Sequence, residues 1–335
     1  MIYSALLFVL FFTILSTGFV IKYAKEKQML DIPNHRSSHV IPTPRGGGVA
    51  FVFIFLSTIL YLLATNTINF RGNYLLLFSM SLIAVVGFYD DRRNLSARWR
   101  FLFQFIAGII SMVALGFLPD IYIYNLTIHA GYLTNFLALV FLIWILNLYN
   151  FMDGIDGIAG LEAVSVCLGA SVLFWITGNY NLTLVPLLLA MAATGFLFWN
   201  LPPAKIFMGD VGSSFLGFTF GLLTLQSLFV NPNFLWSWLI LLGVFIVDAS
   251  VTLVNRVIRR EKLYLAHRSH AYQQAARVYN SHKVVSLSVV AVNLIWLCPL
   301  AILVGVGYIE GFLGLIISYI PLLILAIQFR AGDPS

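Results

Sequence analysis

The chain has 335 residues, 60% of them hydrophobic and only 10% charged, and its mean hydropathy is +0.93. Soluble domains carry about a quarter charged residues. Nearly uncharged stretches recur from end to end, which excludes a soluble globular enzyme, a disordered chain and, despite a net charge of +6, a nucleic-acid binder; the basic excess reads as membrane topology.

Crossing a hydrocarbon core of about 30 Å takes roughly 20 apolar helical residues. On that rule the sequence predicts an all-α polytopic membrane protein with about eleven spans, at 2–21, 47–64, 74–89, 101–118, 133–149, 158–176, 182–199, 215–230, 234–257, 284–306 and 309–328. The apolar runs are continuous rather than alternating, so helices are expected and not a barrel. The first run lacks a basic n-region and an Ala-x-Ala-like site and reads as a retained span. With the N-terminus outside, 18 of the 19 Lys and Arg fall on the inner side, Arg71 alone lies outside, and the C-terminus is cytoplasmic. Cys167 and Cys298 both sit inside spans, which points away from a disulfide framework or a cysteine metal site. The longest inner loops have about 25 residues, too few for a separate domain. The chain is therefore read as one transmembrane catalytic domain over 1–335, its chemistry on inner loops at about 22–46, 90–100, 150–157, 200–214 and 258–283.

Acidic residues gather on that predicted inner face: Asp31, Asp90, Asp91, Asp153, Asp156, Asp210 and Asp248, with Glu162 a weaker eighth. Along the chain, the first loop runs from Asp31 to Pro42-Thr-Pro-Arg45-Gly46-Gly47-Gly48. Its glycines are expected to form a backbone nest for a phosphate, with Arg45 adding a fork of donors. Asp90 and Asp91 end the third span beside Arg92 and Arg93. Adjacent helical residues diverge by about 100°, so at most one of the two need face a ligand. Arg98 and Arg100 flank Trp99 at the next entry.

The stretch NLYNFMDGIDG follows over 147–157. Asn147, Asn150, Asp153 and Asp156 at i, i+3 spacing are expected to share one helix face. Four hard-oxygen side chains at the end of an apolar helix suit Mg²⁺ and a polar substrate. In FMGDVGSS over 207–214, small residues opening a helix present free N–H groups, with Asp210 either an N-cap or a metal ligand. Asp248 is expected to point inward and pair with a loop cation. The last inner loop carries HRSHAYQ over 267–273. Each basic element alone reads as anionic-lipid anchoring; with acids interleaved, a phosphate-rich ligand bridged by Mg²⁺ is more economical.

Together DIPNHRSSHVIPTPRGGG, GFYDDRRNLSARWRFLFQ, NLYNFMDGIDGIAG, FMGDVGSSFLG and HRSHAYQ resemble the polyprenyl-phosphate N-acetylhexosaminyl-1-phosphate transferases of the MraY/WecA type. The resemblance implies a multi-pass protein of the bacterial plasma or inner membrane with a cytoplasmic active site. It implies transfer of N-acetylhexosamine-1-phosphate from a UDP-N-acetylhexosamine to undecaprenyl phosphate, with release of UMP. By position it makes Asp90, Asp91, Asp153 and Asp156 catalytic, and gives Mg²⁺, or Mn²⁺ in its place, to Asp210 and Asn150. It assigns substrate binding to Arg100, Phe207, Arg268 and His270, and the reading of the loops adds Arg45, Gly46, Gly47, Arg98, Asn147 and His267. Many relatives have His-x-His-His where this chain has His270-Ala271-Tyr272-Gln273, which argues against the peptidoglycan-precursor branch. The HRSHAYQ form resembles enzymes that begin O-antigen chains. The lipid phosphate, with a second pKa of about 6, is expected to attack directly, although a phosphoryl-aspartate intermediate is equally compatible with the sequence.

The sugar stays open, and a homodimer is compatible with the chain without being fixed by it. An ion-coupled transporter is the main rival reading; against it stand the one-sided acids and the lack of a repeat. A CDP-alcohol phosphatidyltransferase would need an acidic Asp-Gly-x-x-Ala-Arg run that is absent.

Overall fold

In hydrocarbon a backbone has no water to bond, so it closes its N–H and C=O groups within a helix. Each apolar stretch read from the sequence is helical in the computed structural model, which describes residues 2–33, 41–69, 71–124, 126–261 and 268–333. The helices are α1 (Ile2–Glu26), α2 (Gly48–Ala64), α3 (Asn73–Arg93), α4 (Ala97–Leu115), α5 (Tyr132–Phe151), α6 (Ile158–Ile176), α7 (Tyr180–Asn200), α8 (Asp210–Leu228), α9 (Asn233–Leu241), α10 (Gly243–Ile258), α11 (Ala271–Val278), α12 (His282–Val292), α13 (Cys298–Gly305) and α14 (Gly311–Gln328). A π-helical turn, Asn293–Leu297, joins α12 to α13.

Among the described residues, nine helical segments are long and apolar enough to cross a membrane, α12 and α13 counting as one. The predicted span 234–257 is not straight: α9 and α10 meet at 73°. Gly243 stands at the bend, where a Cβ would come within 3.1 Å of the Tyr319 ring, so α14 packs into the elbow. Counting that pair once and adding the 17-residue α2 accounts for all the predicted segments. Side chains on the outside of the bundle, including Phe19, Val113, Ile258 and Ile327, are 71–74% exposed and apolar. Such a surface belongs against lipid.

α8 is the central element, with 83% of its apolar window buried against 22% for α1. Glycines let its neighbours in: a Cβ on Gly48 would fall 2.6 Å from Gly212 Cα, and one on Gly87 2.6 Å from Val211 Cα. α2 and α3 therefore touch the first turn of α8 backbone to backbone. At that end of the bundle β1 (Leu30–Asp31) pairs antiparallel with β2 (Thr43–Pro44). At the opposite end, strands β3 (Ile121–Ile123) and β4 (Leu126–Ile128) form a hairpin. It is tied down by Trp236 Nε1 donating to the Tyr122 carbonyl and by the Tyr124 N–H donating to Glu310.

Candidate active site

The end of α8 that α2 and α3 approach is where the charged residues converge. Gly209, at φ +77°, turns the chain into α8, and the space above it is filled by the Asp91 carboxylate. Asp91 arrives from the last turn of α3. One oxygen accepts the N–H of Asp210 at 2.8 Å and the other that of Val211 at 3.1 Å, so a residue of one helix caps another. Asp210 is thus the first residue of α8 rather than its own N-cap, which is Gly209.

Arg45 links the two acids, with Nε 2.9 Å from Asp91 and Nη2 3.1 Å from Asp210. Burial weakens this guanidinium, but the carboxylates of Asp210 and Asp91 outweigh it and raise its pKa, so it stays charged. Asp90, on the other side of α3, accepts the Leu95 N–H at 2.6 Å and pairs with Arg100 at 3.1 Å. Its carboxyl also lies within hydrogen-bonding reach of Asp210. Two carboxyls in contact require a proton or a cation between them. Asn150, at the end of α5, donates to Asp210 at 3.0 Å and to Ser213 at 2.9 Å.

The expected common face of Asn147, Asn150, Asp153 and Asp156 does not form, because α5 ends at Phe151 and 152–157 is a turn. Asn147 is instead held in a reciprocal amide pair with Gln104 of α4. Asp153 faces the charged cluster: burial, then the charge of Asp210, push its carboxyl up to about 7 against the pull of Arg45. Asp156 turns the other way, accepting the Ala204 N–H at 3.0 Å and standing 3.4 Å from His282 Nδ1. It borders a basin of about 430 Å³ shared with Arg268, Gln273, Arg277 and His282. Arg45 and Asp91 border a second basin of about 710 Å³ with Lys27, Asp31 and Arg92.

Other predicted residues fall differently. The expected glycine nest is absent, since the N–H groups of Gly47 and Gly48 donate to the carbonyls of Phe207 and Met208 at 2.9 Å. The Phe207 N–H returns to Pro44 at 2.8 Å, so the two loops zip together, Gly46 marking the φ +91° turn. Arg98 is exposed, apart from the cluster. His270 is buried and caps α11 in a capping box with Gln273. Asp248 points inward and is buried; its carboxylate accepts the N–H groups of Ala271 and Tyr272, both at 2.9 Å, and stands 3.3 Å from His270 of the last inner loop. Glu162 is buried with Asn293, away from the cluster. His267 lies outside the described residues. Sequence reasoning missed Gln104, His282 and Tyr272. In the sequence Tyr272 stands only where relatives carry an imidazole, although an N-cap three residues before Gln273 signals a helix start.

Fold and site together define a polytopic membrane protein with a carboxylate–guanidinium cluster at one end of its bundle. Comparison with known proteins gives the particular class. The pattern of the family described as "Glycosyl transferase family 4" matches residues 73–228. A probable undecaprenyl-phosphate N-acetylglucosaminyl 1-phosphate transferase of Bacillus subtilis (strain 168) is 29% identical over 272 residues, covering 79% of this chain and 74% of its own. Phospho-N-acetylmuramoyl-pentapeptide-transferases of Streptococcus pneumoniae serotype 2 and Lactococcus lactis subsp. cremoris are each 26% identical, covering 67% and 68% of this chain and 70% of their own. These matches bear out the resemblance read from the motifs: the chain is similar to the polyprenyl-phosphate sugar-1-phosphate transferases of the MraY/WecA type.

Proposed function

We propose that this chain transfers N-acetylhexosamine-1-phosphate from a UDP-N-acetylhexosamine to undecaprenyl phosphate on the cytoplasmic face, releasing UMP. The undecaprenyl-diphosphate-linked sugar would begin a surface polysaccharide such as O-antigen. The observation that supports the reading most is the meeting of Asp90, Asp91 and Asp210 with Arg45 and Arg100 at one end of a membrane bundle.

Phosphoryl transfer needs positioning and charge neutralisation more than covalent help. Among the described residues no group of three or more His, Cys, Asp or Glu converges as a metal cage. Mg²⁺ does not require one, because it is commonly bound through one or two carboxylates plus substrate phosphates. The neighbouring carboxyls of Asp210 and Asp90 fit that demand and would hold it, with Asn150 alongside. Bound there, Mg²⁺, or Mn²⁺ in its place, supplies charge neutralisation at the donor's phosphates and the departing UMP. Arg45 and Arg100 keep further N–H donors for phosphate oxygens, and Arg268 offers the same from the neighbouring basin. Phe207, half-buried on the zipped loops, is the aromatic surface proposed for uracil.

The lipid phosphate is already largely dianionic at neutral pH, so Asp90 gains little as a base and serves to orient or bind. Direct attack predicts inversion at a chiral β-phosphorus; retention would overturn the one-step scheme. The function itself is tested by incubating membranes containing the protein with a panel of UDP-sugars and undecaprenyl phosphate, then assaying UMP and extracted lipid. Lipid-linked sugar with stoichiometric UMP supports it, and sugar accumulating in vesicles without lipid product overturns it.

A further inference from the structure

The turn that carries Asp153 has little secondary structure of its own. It starts where α5 ends, with Phe151 exposing a carbonyl that no further helical turn can use. The group that takes this carbonyl comes from the last loop: Tyr272 Oη donates to the Phe151 carbonyl at 3.1 Å. The same oxygen lies against the backbone N–H of Gly154 and the side-chain amide of Gln273. One hydroxyl therefore touches the backbone on both sides of Asp153, at 151 and at 154.

The fit is close. A Cβ built on Gly154 would lie 2.1 Å from Tyr272 Oη and 2.9 Å from Gln273 Nε2, so residue 154 has no room for a side chain while the phenol is in place. Tyr272 is itself fixed. It is 4% exposed, its ring stacks on His270 with centroids 5.6 Å apart, and its N–H is held by Asp248 of α10 at 2.9 Å. The chain of contacts runs from a membrane helix through a buried phenol to the turn that aims Asp153 at Arg45 and Asp210.

We propose that Tyr272 is a positioning residue for the transfer reaction, its hydroxyl clamping the 151–154 turn so that Asp153 is presented to the charged cluster. This rests on the transferase reading above. The test compares the purified full-length protein with Tyr272→Phe, Gly154→Ala and the double variant, measuring kcat and KM for the UDP-sugar together with thermal unfolding in detergent. Tyr272→Phe keeps the ring and its stacking, so the unfolding temperature stays near wild type. Its kcat falls about 10-fold or more, the scale at which misplacement of a reacting group is felt, with KM little changed. Gly154→Ala loses activity by collision with the hydroxyl, and adding Tyr272→Phe restores part of it, because the atom the new methyl strikes is gone.

Full activity in Tyr272→Phe would overturn the proposal, as would a double variant worse than the product of the two singles. A fall in unfolding temperature matching the loss of activity would assign Tyr272 to stability alone and overturn it too. A wild-type protein inactive with every UDP-sugar would overturn the underlying function, a result distinguishable from the others because no variant enters it.

Discussion

The carboxylate of Asp91 stands over the first turn of α8 and accepts the N–H of Val211 at 3.1 Å, while its other oxygen takes that of Asp210 and the guanidinium of Arg45. With those bonds made and its side chain 2% exposed, Asp91 is committed to holding helix and arginine in place. The adjacent Asp90 instead pairs with Arg100 and interacts with the Asp210 carboxyl. Asp91→Ala leaves the Asp210 and Val211 N–H groups without their acceptor and Arg45 with Asp210 as its remaining carboxylate partner, which costs on the order of 1–3 kcal/mol. It should lower the unfolding temperature and abolish turnover together, since Asp210 moves with its helix. Asp91→Asn keeps one acceptor and should fall between. The check is paired unfolding and UMP-release measurements, and an Asp91→Ala protein of wild-type stability would refute the capping role.

That relationship shows where sequence reading reaches its limit. Hydropathy located the membrane segments because burial in lipid is a local property of about 20 consecutive residues. It missed the elbow between α9 and α10 because Leu242-Gly243 is apolar on both sides, and the fit of Tyr319 against Gly243 at the bend is a contact between residues far apart in the chain. The motifs brought Arg45, Asp90, Asp91, Asn150 and Asp210 to one place, as the structure does. What they could not give is pairing. Which of two adjacent acids caps a distant helix, or that Asn147 faces Gln104, depends on side chains more than 40 residues apart. The i, i+3 reading of Asp153 and Asp156 failed because α5 ends at Phe151, before either acid, and the chain then turns through Gly157 at φ +77° into α6.

Asp210 receives Arg45 and Asn150 while meeting Asp90, so its removal deletes the cluster's central negative charge. Asp210→Ala should reduce turnover to background and abolish the Mg²⁺ dependence of nucleotide binding, with Mn²⁺ binding followed directly by electron paramagnetic resonance. Asp120 provides the control. It lies at the other end of the bundle, accepting the Ala130 N–H, and Asp120→Asn should leave turnover unchanged. Full activity in purified Asp210→Ala would remove the metal assignment.

Asp153 offers a pH test whose sign can be worked out. Its carboxyl is pushed up to about 7 from an ordinary 3.8, chiefly by burial and then by Asp210. The folded protein therefore holds a proton that the unfolded chain releases, and this group's contribution to stability declines as pH rises from about 4 to about 7, then levels. Asp153→Asn removes the titration. The difference in unfolding temperature between variant and wild type, measured without metal or nucleotide, should thus grow in favour of the variant across that window. A difference independent of pH would show that Asp153 titrates normally. Turnover should be lost in the same variant, so stability and activity move in opposite directions.

The buried pair of Glu162 and Asn293 makes the converse prediction, a residue that matters for the fold and not for the reaction. Asn293 donates from Nδ2 to Glu162 Oε2 at 2.6 Å and to Ser165 at 2.8 Å, joining α6 to the π-helical turn after α12. Glu162 Oε1 and Asn293 Oδ1 are both buried acceptors without a donor. Glutamine at 162 would bring one, converting the site into a reciprocal amide pair of the kind Gln104 and Asn147 already make between α4 and α5. Glu162→Gln should therefore equal or exceed the wild type in stability, whereas Glu162→Ala, which takes from the Asn293 amide one of its two acceptors, should lose about 1–3 kcal/mol. Both should retain wild-type kcat, because neither oxygen of Glu162 contacts the charged cluster. Unfolding temperatures with steady-state UMP release decide the matter, and a Glu162→Gln protein that is stable but inactive would place this carboxyl in the chemistry after all.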